Sequence, residues 1–197
     1  MVKLPKNFWL IAPFAVWMVL MWVLPSTIEW YAWRTVIVGW VLILAGRQMN
    51  GLRFSIPWKN VGLGVAVGLV VFVMWILPEQ FDWAWYRKWC IIGEGGTQAV
   101  AESRYCDLVF RFLGSAFVIS IAEELFFRKW LIGFAGFWWT VALFAIEHDR
   151  WLVAALCGII YGWFYLRRGL GAVCVAHITT NLVLGLWILK MGQWQFW

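Results

Sequence analysis

Hydrophobic residues fall in long blocks along this chain, separated by short clusters of charge, glycine or proline. Crossing about 30 Å of hydrocarbon takes about 20 helical residues, so blocks of that length between polar punctuation read as membrane-spanning helices. The pattern predicts seven helices, at 8–24, 31–46, 61–77, 107–133, 137–148, 151–166 and 171–189. Gly64 with Gly68, and Gly158 with Gly162, put small residues one turn apart in the third and sixth, a spacing that lets helices approach closely. One long connection, from about Glu79 to Tyr105, separates the third helix from the fourth. Its GEGGTQ stretch has neither a strand before it nor a Lys-Ser/Thr after it, so it reads as a turn and not as a phosphate cradle.

Composition sharpens this picture. Apolar residues make up 64% of the 197 positions and charged residues 13%, which excludes an ordinary soluble domain. The expected fold is all-α, a polytopic transmembrane bundle forming a single domain over residues 1–197, with one long extracytoplasmic loop. The 19 Trp suit the headgroup level of a lipid bilayer, where indole rings collect. No small-residue cleavage site follows the first apolar block, so it reads as a retained span and not as a signal peptide.

The net charge of +6 does not point to nucleic acid, because the basic residues are scattered between apolar blocks and form no basic face. They read as topology signals. With the N-terminus in the cytoplasm, Lys3, Lys6, Arg47, Arg53, Lys59, Arg167 and Arg168 share the inner side, against Arg34, Arg87, Lys88, Arg104, Arg150 and Lys190 outside, a modest inward bias. The long loop then lies outside, in an oxidising compartment, and Cys90 and Cys106 at its two ends become a candidate disulfide. Cys157 and Cys174 fall inside apolar helices and are expected to stay reduced.

Ionisable groups at membrane depth are costly, and they normally line a cavity, pair with one another or do chemistry. SIAEELFFRKW, residues 120–130, sets Glu123, Glu124 and Arg128 into such a place. Glu124 and Arg128, four residues apart, can pair, while Glu123 is turned about 100° away and is free to point elsewhere. The chain has two histidines, His148 and His177, both in apolar helices. Taken singly, each is more readily a packing residue than a catalyst. Their depth changes that reading. His148 follows Gly136 by as many residues as Glu123 precedes Ala135, so both sit about 18 Å from the turn between their helices. His177 and Asn181 lie one turn apart on the last helix and approach the same depth.

The order Glu-Glu-x-x-x-Arg at 123–128, Phe-x-x-x-His at 144–148 and His-x-x-x-Asn at 177–181 resembles the CAAX prenyl endopeptidase and bacteriocin-processing (CPBP) family of intramembrane proteases. The stretch ALFAIEHDRWLVAALCGIIYGWFYLRR and the later GQWQFW are similar to the family's exosortase-associated branch in Gram-negative bacteria. The resemblance implies an integral protein of the bacterial inner membrane that hydrolyses a peptide bond of a membrane protein or peptide without cofactor or metal. It implies Glu123 as base, His148 sharing the water, His177 and Asn181 as oxyanion donors, and Glu124 and Arg128 as supporting partners. Elementary chemistry asks for the same parts: an activated water, donors for the oxyanion and a proton for the leaving amine.

Ser120, Cys157 and Cys174 lack a histidine at motif spacing, so nucleophilic triads have little support. Two readings compete with the glutamic protease. Two His and two Glu could ligate zinc, although no His-Glu-x-x-His pair exists and Arg128 disfavours a dication. The polar groups could also form a transport path or a non-catalytic binding site, although the chain lacks the internal repeat usual in transporters.

Overall fold

The computed structural model describes residues 5–25, 28–49, 56–92 and 105–196. Among them are eight α-helices and no strand. The helices are α1 (Lys6–Val23), α2 (Ile28–Gln48), α3 (Trp58–Gln80), α4 (Ala84–Cys90), α5 (Tyr105–Ala135), α6 (Phe137–Ile146), α7 (Trp151–Arg168) and α8 (Leu170–Met191). A short 3₁₀ turn follows at Trp194–Phe196. All seven predicted blocks form helices, with ends moved by up to about three residues, a normal uncertainty of helix termini. Four of them, α1, α3, α5 and α8, are long and apolar enough to cross a membrane.

The additional helix, α4, corrects the reading of the long connection as loop alone. Its sequence, AWYRKWC, hides a short amphipathic pattern: Tyr86 and Cys90, one turn apart, face inward at 1% and 3% exposure, while Trp85 and Trp89 face out. The Trp89 carbonyl accepts from the Trp151 indole at 2.9 Å and the Ile92 N–H donates to the Asp149 carbonyl at 2.8 Å, which docks α4 beside the α6–α7 junction. The GEGGTQ stretch lies outside the described residues.

The expected disulfide is also corrected. Cys90 and Cys106 are both free thiols. Cys90 is turned into the core with Tyr86, whereas at the start of α5 it is Asp107 that points inward and Cys106 that is exposed. Location near both ends of a loop was the only warrant for the pair, and helix phase sets the two side chains in different surroundings.

Small residues fix the packing around α8. A Cβ at Gly64 would lie 2.9 Å from the Ala172 carbonyl oxygen, and one at Gly68 would collide with the Ala176 carbonyl and with Thr179. The first glycine pair therefore does serve close contact, of α3 with α8. The second serves α6 against α7, since Cβ atoms at Gly158 and Gly162 would meet Phe144 and Phe137. Sharp reversals join α5 to α6 and α7 to α8 at Gly136 (φ 87°) and Gly169 (φ 83°), left-handed conformations that favour glycine. On the other side of the bundle, α2 ties α1 to α5. Its Arg34 donates to the Leu24 and Pro25 carbonyls past the end of α1, and Thr35 donates to carbonyls of Tyr31 and Phe110.

Candidate active site

Helix α5 supplies the carboxylates, and it is not a regular helix. Two stretches, Gly114–Ile119 and Glu124–Leu131, are wound in wide π turns on either side of Ser120–Glu123. Wide turns free carbonyls from the helical ladder and concentrate at functional sites. Here the Ser115 carbonyl accepts from the Ser120 hydroxyl at 3.0 Å and from Asn181 Nδ2 at 2.9 Å, and Asn181 Nδ2 also donates to Ser120 Oγ at 2.9 Å.

The three ionisable groups of α5 are all buried: Glu123 is 6% exposed, Glu124 0% and Arg128 1%. Glu124 stands between Arg128 and His177. One of its oxygens lies 3.3 Å from Arg128 Nε, and the other accepts from His177 Nδ1 at 2.7 Å. The Arg128 guanidinium has no hydrogen-bond acceptor among the described residues and lies over aromatic faces, 4.3 Å from the Phe144 centroid and 5.6 Å from that of Tyr161. Cation–π attraction gives a desolvated guanidinium a second source of stabilisation there.

Glu123 stands apart from those three, as its phase on the helix predicts. Its Oε2 is buried without a hydrogen-bond partner, and His177 Nε2 lies 3.8 Å from it, beyond hydrogen-bond length. Because His177 Nδ1 donates to Glu124, the imidazole presents Nε2 towards Glu123. His148 is oriented in the same way: its Nδ1–H donates to the Phe144 carbonyl at 2.8 Å, which leaves Nε2 as the free ring nitrogen. The Phe144 and Trp75 rings, with centroids 4.6 and 5.7 Å away, confine that imidazole.

Glu123, His148, His177 and Asn181 line one cavity of about 200 Å³. Ser115, Tyr161 and Thr180 add polar atoms to it, while Val71, Trp75, Leu184, Ile188 and Phe196 make its other wall apolar. The volume is below the roughly 300–1,000 Å³ of drug-sized ligand sites, and suits a short piece of extended backbone, one side chain and a water. Glu124 and Arg128 stand behind this surface. The Glu124–Arg128 pair expected from helical spacing is present, and His177 also approaches Glu123, at 3.8 Å. Asn181 differs from expectation, since both amide hydrogens are engaged with Ser115 and Ser120. Among the described residues no group of three or more His, Cys, Asp and Glu side chains is disposed to hold a metal ion.

Sequence reasoning missed Tyr161 and Thr180. The Thr180 hydroxyl donates to the Gly68 or Ala176 carbonyl, 2.8 and 3.1 Å away, so it accepts from the Tyr161 hydroxyl at 2.6 Å. The Tyr161 ring packs 5.1 Å from that of His177. A signal was available in the spacing 177, 180, 181, which puts Thr180 on the stripe of the two motif residues.

The described residues fold into helices alone, four of them long and apolar enough to cross a membrane, as in an integral membrane protein, and they enclose a cavity lined by Glu123 and two histidines. Residues 105–183, from the start of α5 into α8, match the family model described as type II CAAX prenyl endopeptidase Rce1-like. The matched stretch carries every candidate site residue, and over it the chain is similar to that family. No curated protein and no solved structure matches the chain.

Proposed function

We propose that the protein is a glutamic intramembrane endopeptidase in which Glu123 is the general base of a metal-free hydrolysis. The observation that carries this reading is the Glu123 carboxylate itself: buried, without a hydrogen-bond partner at Oε2, and open to a cavity that two histidines enter through Nε2. A water between Glu123 and His148 loses its proton to the carboxylate as its oxygen attacks the scissile carbonyl. The carbon becomes tetrahedral, and protonated His177 donates from Nε2 to the oxyanion. The C–N bond then breaks as a proton passes from Glu123, through His148, to the leaving amine. Glu124 fixes His177, and Arg128 holds Glu124. Asn181 serves by positioning α5 through Ser115 and Ser120 and not by donating to the oxyanion.

The substrate in this reading is a C-terminal or transmembrane segment of another membrane protein. The N-terminus is cytoplasmic and the host membrane is the inner membrane of a bacterium of the exosortase-bearing kind, readings supported by the basic residues and by GQWQFW. The metal-dependent alternative is disfavoured by Arg128, whose positive charge stands behind Glu124.

The test is purified protein in liposomes with host membrane proteins, fragments being identified by mass spectrometry. Glu123→Gln keeps size and hydrogen bonding and removes basicity, so turnover falls by about a hundredfold or more. Strong chelators leave the wild type active. Activity lost to chelation and restored by zinc would make Glu123, His148 and His177 ligands instead. A Glu123→Gln protein as fast as wild type would leave only the transport or binding reading.

A further inference from the structure

The cavity ends in a wall that the catalytic reading does not use. Its apolar lining includes Phe196, which packs with Ile76, Leu184 and Ile188 and is 8% exposed. That ring arrives from beyond α8. Gly192, at φ 65°, stops the helix, and the 3₁₀ turn at Trp194–Phe196 sets Phe196 in the cavity lining. Side chains distant in sequence hold it there. Gln193 Oε1 accepts from Gln80 Nε2 at 2.7 Å and from the Trp187 indole at 3.1 Å. Arg150 donates to the Gln195 carbonyl at 2.9 Å, lies 4.7 Å over the Phe196 ring and is itself paired with Glu79. The Arg150 guanidinium is buried, so this clamp is built in and is not a loose surface contact.

We propose that Phe196, held by Arg150, is the residue that sets substrate specificity, by limiting the side chain next to the scissile bond to an apolar one of small or medium size. The proposal rests on the endopeptidase reading of the same cavity. About 200 Å³ must accommodate backbone, water and that side chain together. An aromatic substrate side chain would compete with the Phe196 ring for one space, and a charged one would find no partner on the apolar wall. Removing the ring frees the volume of a phenyl group in the apolar lining and leaves Glu123, His148 and His177 in place.

The experiment uses the full chain in liposomes and a set of single-span peptides identical except at the residue beside the cleaved bond, which runs through Ala, Leu, Phe, Trp and Lys. Wild type is expected to favour Ala and Leu over Phe and Trp by about tenfold in kcat/KM, the usual worth of a sterically defined apolar pocket. Phe196→Ala should bring Phe and Trp peptides close to Leu, and Phe196→Trp should favour Ala further. Arg150→Gln should shift the ratio in the direction of Phe196→Ala by releasing the ring. The same ratios are read as peptide affinities in the Glu123→Gln background, where no hydrolysis is needed. If Glu123-dependent cleavage persists and Phe196→Ala leaves the ratio as in wild type, the specificity role is wrong and the site reading stands. If no peptide is cut, the site reading fails, and the affinity ratio alone decides whether Phe196 selects the side chain: unchanged ratios overturn it.

Discussion

Asn181 Nδ2 and Ser120 Oγ stand 2.9 Å apart across the contact of α8 with α5, with the Ser115 carbonyl within reach of both side chains. The amide thereby pins the wide turn that leads into Glu123. Ser120→Ala should lower kcat more than it changes KM, with a stability loss of about 1–3 kcal/mol for the N–H left unpaired. Asn181→Asp should be worse than Asn181→Ala, because it sets a carboxylate against the Ser115 carbonyl. Turnover and thermal unfolding of the three purified variants check both orderings; equal effects of Asp and Ala would remove the positioning role.

The Glu124–Arg128 pair is a buried one, and removing one partner of such a pair typically costs about 3–5 kcal/mol. Glu124→Gln and Arg128→Met should each destabilise strongly, and the variant carrying both should cost less than the sum of the two single changes. Unfolding of the full mutant cycle in one detergent measures the coupling. Strict additivity would mean that the two charges do not sense each other.

Gly68 offers a steric prediction with an internal control. A Cβ there would collide with the Ala176 carbonyl, whereas one at Gly39 meets nothing within 4 Å. Gly68→Val should part α3 from α8, break the Thr180 contact and abolish folded yield. Gly39→Ala should be neutral or gain up to about 1 kcal/mol from helix propensity. Yield by size-exclusion chromatography distinguishes the two.

The free thiols give a chemical test. Burial pushes the Cys90 thiol above its ordinary range, and the thiolate is the reactive form. Without reductant, exposed Cys106 should take up a maleimide quickly and Cys90 slowly, with Cys90 catching up as pH rises. Recovery of a Cys90–Cys106 linked peptide by mass spectrometry would overturn the placement of α4.

Much of the membrane architecture was legible because hydrocarbon imposes long apolar blocks, and these survive any detail of packing. α4 was hidden because its two inward residues, Tyr86 and Cys90, are separated by Arg87, Lys88 and Trp89, which break the apolar run. The Glu124–Arg128 pair followed from helical spacing, and the meeting of Glu123 with His148 in one cavity from equal distances to a shared turn. Other parts left no mark on spacing. The freed Ser115 carbonyl of the first wide turn in α5 is met by Asn181 from across the bundle. The aromatic faces around Arg128 belong to α6 and α7 as well as to α5, and Phe196 enters the cavity through Arg150 and Glu79.

Burial of Glu123, Glu124 and Arg128 in α5 also bears on how the chain is made. On insertion, a charged side chain at the middle of a helix costs about 2.5–3.5 kcal/mol. The histidine that satisfies Glu124 resides in α8 and is synthesised after α6 and α7. Within α5 Glu124 already has Arg128 one turn away, so part of that cost is relieved before the later helices are made. Glu123 has no such partner in its own helix and gains the company of His177 only when α8 joins the bundle. The cost of setting an isolated carboxylate in hydrocarbon therefore falls chiefly on Glu123 until the last helix is in place.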